Sequence, residues 1–290
     1  DKLKRNEDTQ KLNIHTNDEI EPLSHSFESM EENLRKYIIE NNAITVEREH
    51  IKAELNLATG IQADMLIKDF PPFPDRTEFD IYASMNTAKE VGGDFYDYYF
   101  VDEETLAFLI ADVSGKGIPA AMFMMTAKTL LKSYAETGMS VEKVFIHANE
   151  ELCEGNDTGM FVTAWMGLLN TKTGLISFAN AGHNPPLVKH ADGTFTYLKT
   201  RPGLVLAGME GVKYRKNELQ LAANDVIYLY TDGVTEATNI NDELYGEVRL
   251  LDLLNAHKDA TMEELCKLVL DDVFAFTGEA PQFDDITMLA

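Results

Sequence analysis

The first quarter of the chain carries an apolar pattern that repeats at alternating steps of four and three residues. Its positions are Leu23, Phe27, Met30, Leu34, Tyr37, Asn41, Ile44, Arg48, Ile51, Leu55, Ala58, Gln62 and Met65, with charged residues between them. This heptad spacing predicts a long helix that pairs with a second helix as a dimeric coiled coil. Asn41, Arg48 and Gln62 are polar seam positions, which lower stability but fix register. A single amphipathic helix lying on its own domain is the alternative.

The segment Phe70–Pro74, with three prolines, ends this helix and forms a stiff junction. Beyond it, apolar and polar residues alternate or form short apolar runs, as in strands. Strands are predicted at Phe79–Met85, Phe95–Val101, Thr105–Val113, Phe161–Leu169, Leu175–Ala181, Leu187–His190, Phe195–Leu198, Glu218–Leu221, Val226–Tyr230 and Ile286–Leu289. Helices are predicted at Pro119–Thr137, Val141–Glu154, Gly246–Ala256 and Met262–Phe276. Paired helices between groups of strands with short links predict an α+β fold with largely antiparallel sheets.

Charge and cysteine content narrow the class of protein. The 25 Lys and Arg residues against 49 Asp and Glu give a formal charge of −24, which disfavours binding to nucleic acids or anionic lipids. The 2 cysteines make a disulfide framework or a cysteine-based zinc site improbable and fit a reducing cytosol. The apolar stretches Phe108–Val113 and Ile118–Ala127 are shorter than the ~20 residues of a membrane span. The first residue Asp1 and the apolar run that stops at Ala290 suggest a piece of a longer protein.

Aspartates stand where predicted strands meet turns. Asp94 opens the strand Phe95–Val101, Asp112 follows an apolar run, Asp232 follows Val226–Tyr230, and Asp284 precedes the last strand. Clustered carboxylates repel one another unless cations neutralise them, and such oxygen ligands suit Mg²⁺ or Mn²⁺. Taken singly, each has an ordinary interpretation, such as a hairpin turn at Asp232 or a solvated loop at Asp284.

Five motifs in order carry a family resemblance. They are EVGGDFYD (90–97), DVSGKGIPAAMFM (112–124), NAGHNPP (180–186), YTDGVTEA (230–237) and FDDITM (283–288). From about residue 65 to the end, the chain resembles the metal-dependent PPM-type protein phosphatases, in their bacterial SpoIIE/RsbU-like serine phosphatase branch. The resemblance implies an αββα sandwich of two antiparallel sheets flanked by helix pairs, with a centre of two Mn²⁺ or Mg²⁺ ions at one edge.

The resemblance also implies the ligands of that centre. Asp112 matches the carboxylate that bridges both metals, the backbone carbonyl of Val113 matches a further ligand, and Asp94 matches a ligand of the first ion. Asp232 and Asp284 match ligands of the second ion. Two cations about 3.5–4 Å apart can share and acidify one water and aim it at phosphorus. That water is the expected nucleophile, so no side chain is assigned as catalytic.

Other residues in or beside the motifs are not assigned as metal ligands. Asp285 is expected to contact the ligands and not the metal ions. The arginine that grips phosphate in eukaryotic relatives has no counterpart here, and the nearest basic residues, Lys89 and Lys116, do not match it. His183 is a conceivable general acid, although a structural role in a tight turn is favoured. Met122, Met124 and Met125 have helical spacing and are expected in the core.

Residues Asn17–Leu34 resemble the second helix of a HAMP domain. With this resemblance the chain divides into a partial HAMP helix (1–37), a coiled-coil linker (38–66) and a phosphatase domain (67–290). It implies the cytoplasmic portion of a membrane-anchored receptor, homodimeric through the helix, with the membrane reached only through missing upstream segments. The family suggests a phosphoserine on a STAS-domain anti-anti-sigma-type regulator as substrate, hydrolysed under control of an upstream sensor.

Two other functions compete with a signal-gated phosphoserine phosphatase. A non-catalytic descendant would bind a partner with the same fold, but it would have no need of Asp94, Asp112, Asp232 and Asp284 together. A different metal hydrolase on an unrelated fold would not account for the five ordered motifs.

Overall fold

The computed structural model describes residues 20–190 and 193–290. Its helices are α1 Ile20–Met65, α2 Ile118–Glu136, α3 Val141–Cys153, α4 Asp232–Thr235, α5 Gly246–Ala256 and α6 Met262–Thr277. Its strands are β1 Ala83–Asn86, β2 Phe95–Phe100, β3 Thr105–Val113, β4 Val162–Asn170, β5 Leu175–Ala181, β6 Leu187–Lys189, β7 Phe195–Tyr197, β8 Asn217–Gln220, β9 Val226–Tyr230 and β10 Ile286–Leu289. The chain divides into two compact units, of which the first ends at Leu57 and the second spans Ala58–Ala290.

The predicted long helix is confirmed as α1, a helix of 46 residues. In the first unit the apolar seam side chains from Leu23 to Ile51 are exposed, with fractions between 45% for Leu34 and 65% for Leu23, and Leu55 is half-buried. Pairing of this seam with a second helix stays a prediction. The part of the HAMP-like segment before Ile20 lies outside the described residues.

The second unit is built on two antiparallel five-stranded sheets, in the orders β2-β3-β4-β5-β8 and β1-β10-β9-β6-β7. Helices α2 and α3 pack on each other and on the first sheet, whereas α5 and α6 pack on each other and contact strands of the second. Strand β10 contacts β2 and β3 across the two sheets. The predicted αββα sandwich of the α+β class is therefore confirmed.

Apolar burial between these layers explains why the strands form where they do. In β3, the residues Leu106–Ala111 are all buried, as expected for a central strand covered on both faces. Trp165 of β4 is fully buried and stacks on Phe178 of β5, with ring centroids 5.1 Å apart. These contacts fix the register of the first sheet.

Three local predictions were wrong. The strand predicted at Phe79–Met85 begins only at Ala83 and extends to Asn86, although Tyr82 and Ala290 exchange two backbone hydrogen bonds of 2.9 Å. The second error concerns Gln62, which is 3% exposed and bonded within the second unit, so it is not a seam position. The third concerns Met122, which was expected in the core but is 64% exposed, because it lies on the outer face of α2, whereas Met124 is fully buried.

None of the helices among residues 20–190 and 193–290 is long and apolar enough to cross a membrane.

Candidate metal centre

The strand pairing brings the aspartates from both sheets to one edge. Asp94 directly precedes β2, and because Phe95 pairs with Ala111, it lies beside Asp112 near the end of β3. In the other sheet Met288 pairs with Tyr230, so Asp284 before β10 lies near Asp232 after β9. Antiparallel pairing therefore joins residues that are far apart in sequence.

The electrostatics show that these carboxylates act on one another. Burial, together with the charges of Asp232 and Asp284, raises the pKa of Asp112 to about 7. Burial, followed by the charges of Glu236 and Asp284, raises the pKa of Asp232 to about 6. Asp94 is 2% exposed, and its pKa is well above the usual range because of burial and the nearby Asp112. The edge thus concentrates negative charge that the surrounding protein does not neutralise.

A threonine links the two sheets at this edge and orients Asp94. The Thr231 hydroxyl donates to Asp94 Oδ2 at 2.7 Å and accepts from the Thr287 backbone N–H at 3.1 Å. Thr231 is fully buried between β9 and α4. Sequence reasoning gave it no role, although it lies inside the YTDGVTEA motif beside Asp232.

Asp285 fastens the loop that carries Asp94. Its Oδ1 accepts from the Ala88 N–H at 2.8 Å, and its Oδ2 accepts from the N–H groups of Gly93 at 2.8 Å and Asp94 at 3.4 Å. The approach leaves no room for a side chain at Gly92, where a Cβ atom would lie 2.2 Å from Asp285 Oδ2. With both oxygens engaged by backbone donors, Asp285 lies behind the proposed ligands and supports them, as expected.

The predicted carbonyl ligand lies in the same loop cluster. The Val113 carbonyl oxygen approaches Gly93 so closely that a Cβ atom there would lie 2.8 Å from it. Val113 is therefore adjacent to the Gly93–Asp94 segment, and its role as a ligand stays a prediction.

Lys116, in the loop between β3 and α2, occupies the side of the edge nearest Asp284. Its Nζ lies 3.0 Å from Asp284 Oδ2, donates to the Phe283 carbonyl oxygen and stands 3.7 Å from the centroid of the Phe283 ring. Its charge also lowers the pKa of Asp232. An ammonium group thus supplies part of the positive charge that the carboxylates require.

The chemistry of these donors fits Mn²⁺ or Mg²⁺, but their arrangement is not a closed metal site. Among residues 20–190 and 193–290, no group of three or more His, Cys, Asp or Glu side chains is placed so that it could hold a metal ion. Buried carboxylates with raised pKa values are nevertheless the groups that a divalent cation would stabilise in their charged form. The fit therefore rests on donor type and uncompensated charge.

His183 is part of a buried turn. Its backbone N–H donates to Asn180 Oδ1 at 2.8 Å, the Asn180 amide donates back to the His183 carbonyl at 2.9 Å, and its Nδ1 lies 2.8 Å from the Thr163 hydroxyl. Burial lowers its pKa to about 4. A neutral, enclosed imidazole supports the structural interpretation over the general acid.

Two further buried contacts were not predicted from the sequence, and the first of them reaches the segment that carries Asp94. Gln62, near the end of α1, donates from Nε2 to the Gly92 carbonyl at 2.6 Å and accepts from the Gly92 N–H at 3.1 Å. Lys128 of α2 forms a buried ion pair with Asp97 of β2. Gln62 fitted the heptad pattern, so the sequence did not indicate its contact with Gly92. The only signal for the second contact was Lys128, a single charged residue within an otherwise apolar run.

Comparison with known proteins places the chain in a family. The family described as "Stage II sporulation protein E (SpoIIE)" matches residues 102–290. Phosphoserine phosphatase RsbU of Bacillus subtilis is 31% identical to the chain over 83% of it and 70% of RsbU. The chain belongs to the SpoIIE family. It accordingly carries a PPM-type protein phosphatase domain.

Other relatives agree with this membership. Protein IcfG of Synechocystis is 29% identical over 94% of the chain, which spans only 46% of IcfG. Among solved structures, the SiaA-PP2C domain of Pseudomonas aeruginosa has a TM-score of 0.71 at 22% identity, with 83% of this chain and 96% of that one covered. RsbX in complex with magnesium has a TM-score of 0.53 at 17% identity over 72% and 92% of the two chains. Both likenesses concern the fold.

Proposed function

We propose that the chain is a metal-dependent phosphoserine protein phosphatase. The observation that carries this proposal is the convergence of Asp94, Asp112, Asp232 and Asp284 at one edge of the sandwich, where burial and mutual repulsion raise the pKa values of three of them. A protein that only bound a partner would gain nothing from this costly concentration of charge.

In this proposal Asp94, Asp112, Asp232, Asp284 and the Val113 carbonyl would hold two Mn²⁺ or Mg²⁺ ions, and Asp112 would be the shared ligand. Bound divalent ions would supply an activated water and neutralise charge on the phosphoryl oxygens. The protein's own contribution is to hold the ligands in place. Thr231 orients Asp94, and Asp285 fixes the backbone that carries it.

The proposed substrate is a phosphoserine on a STAS-domain regulator. RsbU and RsbP of Bacillus subtilis are each named a phosphoserine phosphatase, which supports the bond that is cleaved. The STAS domain comes from the family resemblance. The net charge of −24 is consistent with a protein substrate and disfavours polyanions.

The proposed control of activity is a homodimer formed through α1, with residues 1–37 as part of a HAMP domain and 38–66 as the linker to the phosphatase domain. Exposed Leu23, Phe27, Met30 and Leu34 support pairing with a second copy, because together they form an apolar stripe at heptad spacing. The contact from Gln62 to Gly92 supports transmission, since it joins the end of α1 to the segment that carries Asp94. An upstream sensor would act through this helix at the cytoplasmic side of a membrane.

The test is hydrolysis of a serine-phosphorylated STAS-domain protein by the purified chain, with Mn²⁺ and with EDTA. We expect turnover only with metal, and Asp112→Asn should lose nearly all of it. Asp259→Asn, an exposed carboxylate in the connection between α5 and α6, is the matched control and should keep full activity. Full activity in EDTA would contradict the proposal. Binding of the phosphoprotein without turnover would favour the non-catalytic module.

A further inference from the structure

The ammonium group of Lys116 is held against the metal edge by contacts from one short segment. Phe283 offers both its carbonyl oxygen and its ring face, and Asp284 offers Oδ2 at 3.0 Å. The Lys116 and Asp284 side chains are 27% and 29% exposed, so this pair is partly shielded from water. Among the ion pairs of the described residues, it is the one that includes a proposed metal ligand.

Each carboxylate oxygen of Asp284 faces a hydrogen-bond donor or a positive charge in this arrangement. Its Oδ1 accepts from the Asp285 N–H at 2.9 Å, while Oδ2 faces the Lys116 ammonium. A divalent ion bound at Oδ2 would stand beside a positive charge, and like charges at contact distance repel strongly in a partly desolvated site. The ion and the ammonium therefore compete for the same oxygen.

The ammonium also offsets part of the negative charge of Asp284, because its Nζ lies 3.0 Å from Asp284 Oδ2. Such compensation stabilises the metal-free protein relative to the loaded one.

We propose that Lys116 is an internal competitor of the divalent cation at Asp284, bound there in the metal-free protein and displaced when the second ion binds. The inference rests on the proposed metal centre. It gives Lys116 a regulatory role, because an ion must release the lysine before it gains the carboxylate. The affinity for the second ion is consequently weaker than the carboxylates alone would give.

The test compares Mn²⁺ binding by isothermal titration in the parent chain, Lys116→Met and Lys89→Met. Lys89 is an exposed lysine whose side chain approaches the same loop, with its Cδ 4.0 Å from the position of a Cβ atom at Gly117. Removing a partly exposed ion pair should tighten the weaker Mn²⁺ site of Lys116→Met by about threefold to tenfold. Lys89→Met should change it by less than about twofold, because Lys89 is exposed and, among the described residues, forms no ion pair with a proposed ligand.

Other outcomes overturn the inference in distinguishable ways. Unchanged or weaker Mn²⁺ binding in Lys116→Met would show that the lysine supports the loop and does not compete. Absence of Mn²⁺ binding in every variant would overturn the metal centre itself.

A second measurement uses the parent chain alone, so it does not depend on whether a variant folds. The rate of reductive methylation of Lys116, relative to Lys89, should rise severalfold when Mn²⁺ is added, because displacement frees the ammonium. A rate that stays constant or falls while Mn²⁺ binds would contradict displacement.

Discussion

Replacing Gln62 with Leu should uncouple the end of α1 from the metal edge. Leucine fills a similar volume but removes both the donor and the acceptor that serve Gly92. The side chain is 3% exposed, so water does not readily replace the two hydrogen bonds of 2.6 and 3.1 Å. Gly92 directly precedes Gly93 and Asp94, whose N–H groups donate to Asp285. Losing the Gln62 hydrogen bonds should therefore disturb the position of Asp94, a proposed ligand.

The size of the effect follows from leaving the Gly92 N–H and carbonyl groups without partners. A buried polar group that loses its partner costs about 1–3 kcal/mol, so the two together should lower the free energy of unfolding by roughly 2–4 kcal/mol once leucine burial offsets part of the loss. The chain has a single tryptophan, Trp165, which is fully buried, so its fluorescence reports urea unfolding of this domain. Affinity for Mn²⁺ should fall together with stability.

Gln220→Leu is the matched control. Its amide also donates to two backbone carbonyls, those of Thr173 at 2.7 Å and Leu221 at 3.0 Å, but the residue is exposed. Water can replace those bonds, and we expect a change below about 0.5 kcal/mol. If Gln62→Leu were as stable as Gln220→Leu and bound Mn²⁺ as tightly as the parent, the coupling would be refuted.

Further substitutions test the ion pair, the buried histidine and the helix. Lys128→Met should lower the free energy of unfolding in urea by about 3–5 kcal/mol, because it leaves the buried Asp97 carboxylate without its partner. Adding Asp97→Leu should recover part of this free energy, and a loss below ~1 kcal/mol in Lys128→Met would contradict a buried pair. Between pH 6.5 and about 4 the unfolded chain binds a proton at His183 that the folded chain excludes, so stability should fall as pH is lowered, by up to ~3 kcal/mol. His183→Asn should flatten this dependence and change turnover by less than about tenfold; a thousandfold loss in a folded variant would make it a catalytic acid. Phe27→Glu should reduce the dimer fraction in sedimentation without changing helix content, whereas an unchanged distribution would argue against the seam.

The sequence was sufficient to predict the bounds of those helices and strands whose pattern of buried residues is regular. Strand β3 was predicted at Thr105–Val113, the observed bounds, because a continuous apolar run in a central strand is unambiguous. The segment before β1 alternates as a strand should, yet its backbone pairing begins only at Tyr82 and its strand at Ala83, because a pattern does not specify where a partner strand lies. The short helix α4 was not predicted, since Asp232-Gly233 equally suits a turn.

The site was predictable as far as the motifs extend. Its carboxylates were singled out by their positions at predicted strand ends, the resemblance assigned their roles, and the fold brings those strand ends together. The contacts that the sequence did not indicate join residues distant along the chain, such as Gln62 with Gly92 and Lys116 with Asp284. Periodicity encodes which face of an element is buried, whereas a hydrogen bond between elements depends on their packing.

The central claim is that the carboxylate edge binds two divalent ions. Counting the Mn²⁺ ions bound at equilibrium tests it most directly, because metal binding is measured without any substrate. Equilibrium dialysis followed by elemental analysis should find two ions per parent chain. Asp112→Asn, which removes the shared carboxylate, should bind fewer than one at the same free Mn²⁺ and lose turnover in parallel. Two ions retained by Asp112→Asn, or turnover by a parent chain that binds none, would contradict a two-metal phosphatase centre at this edge.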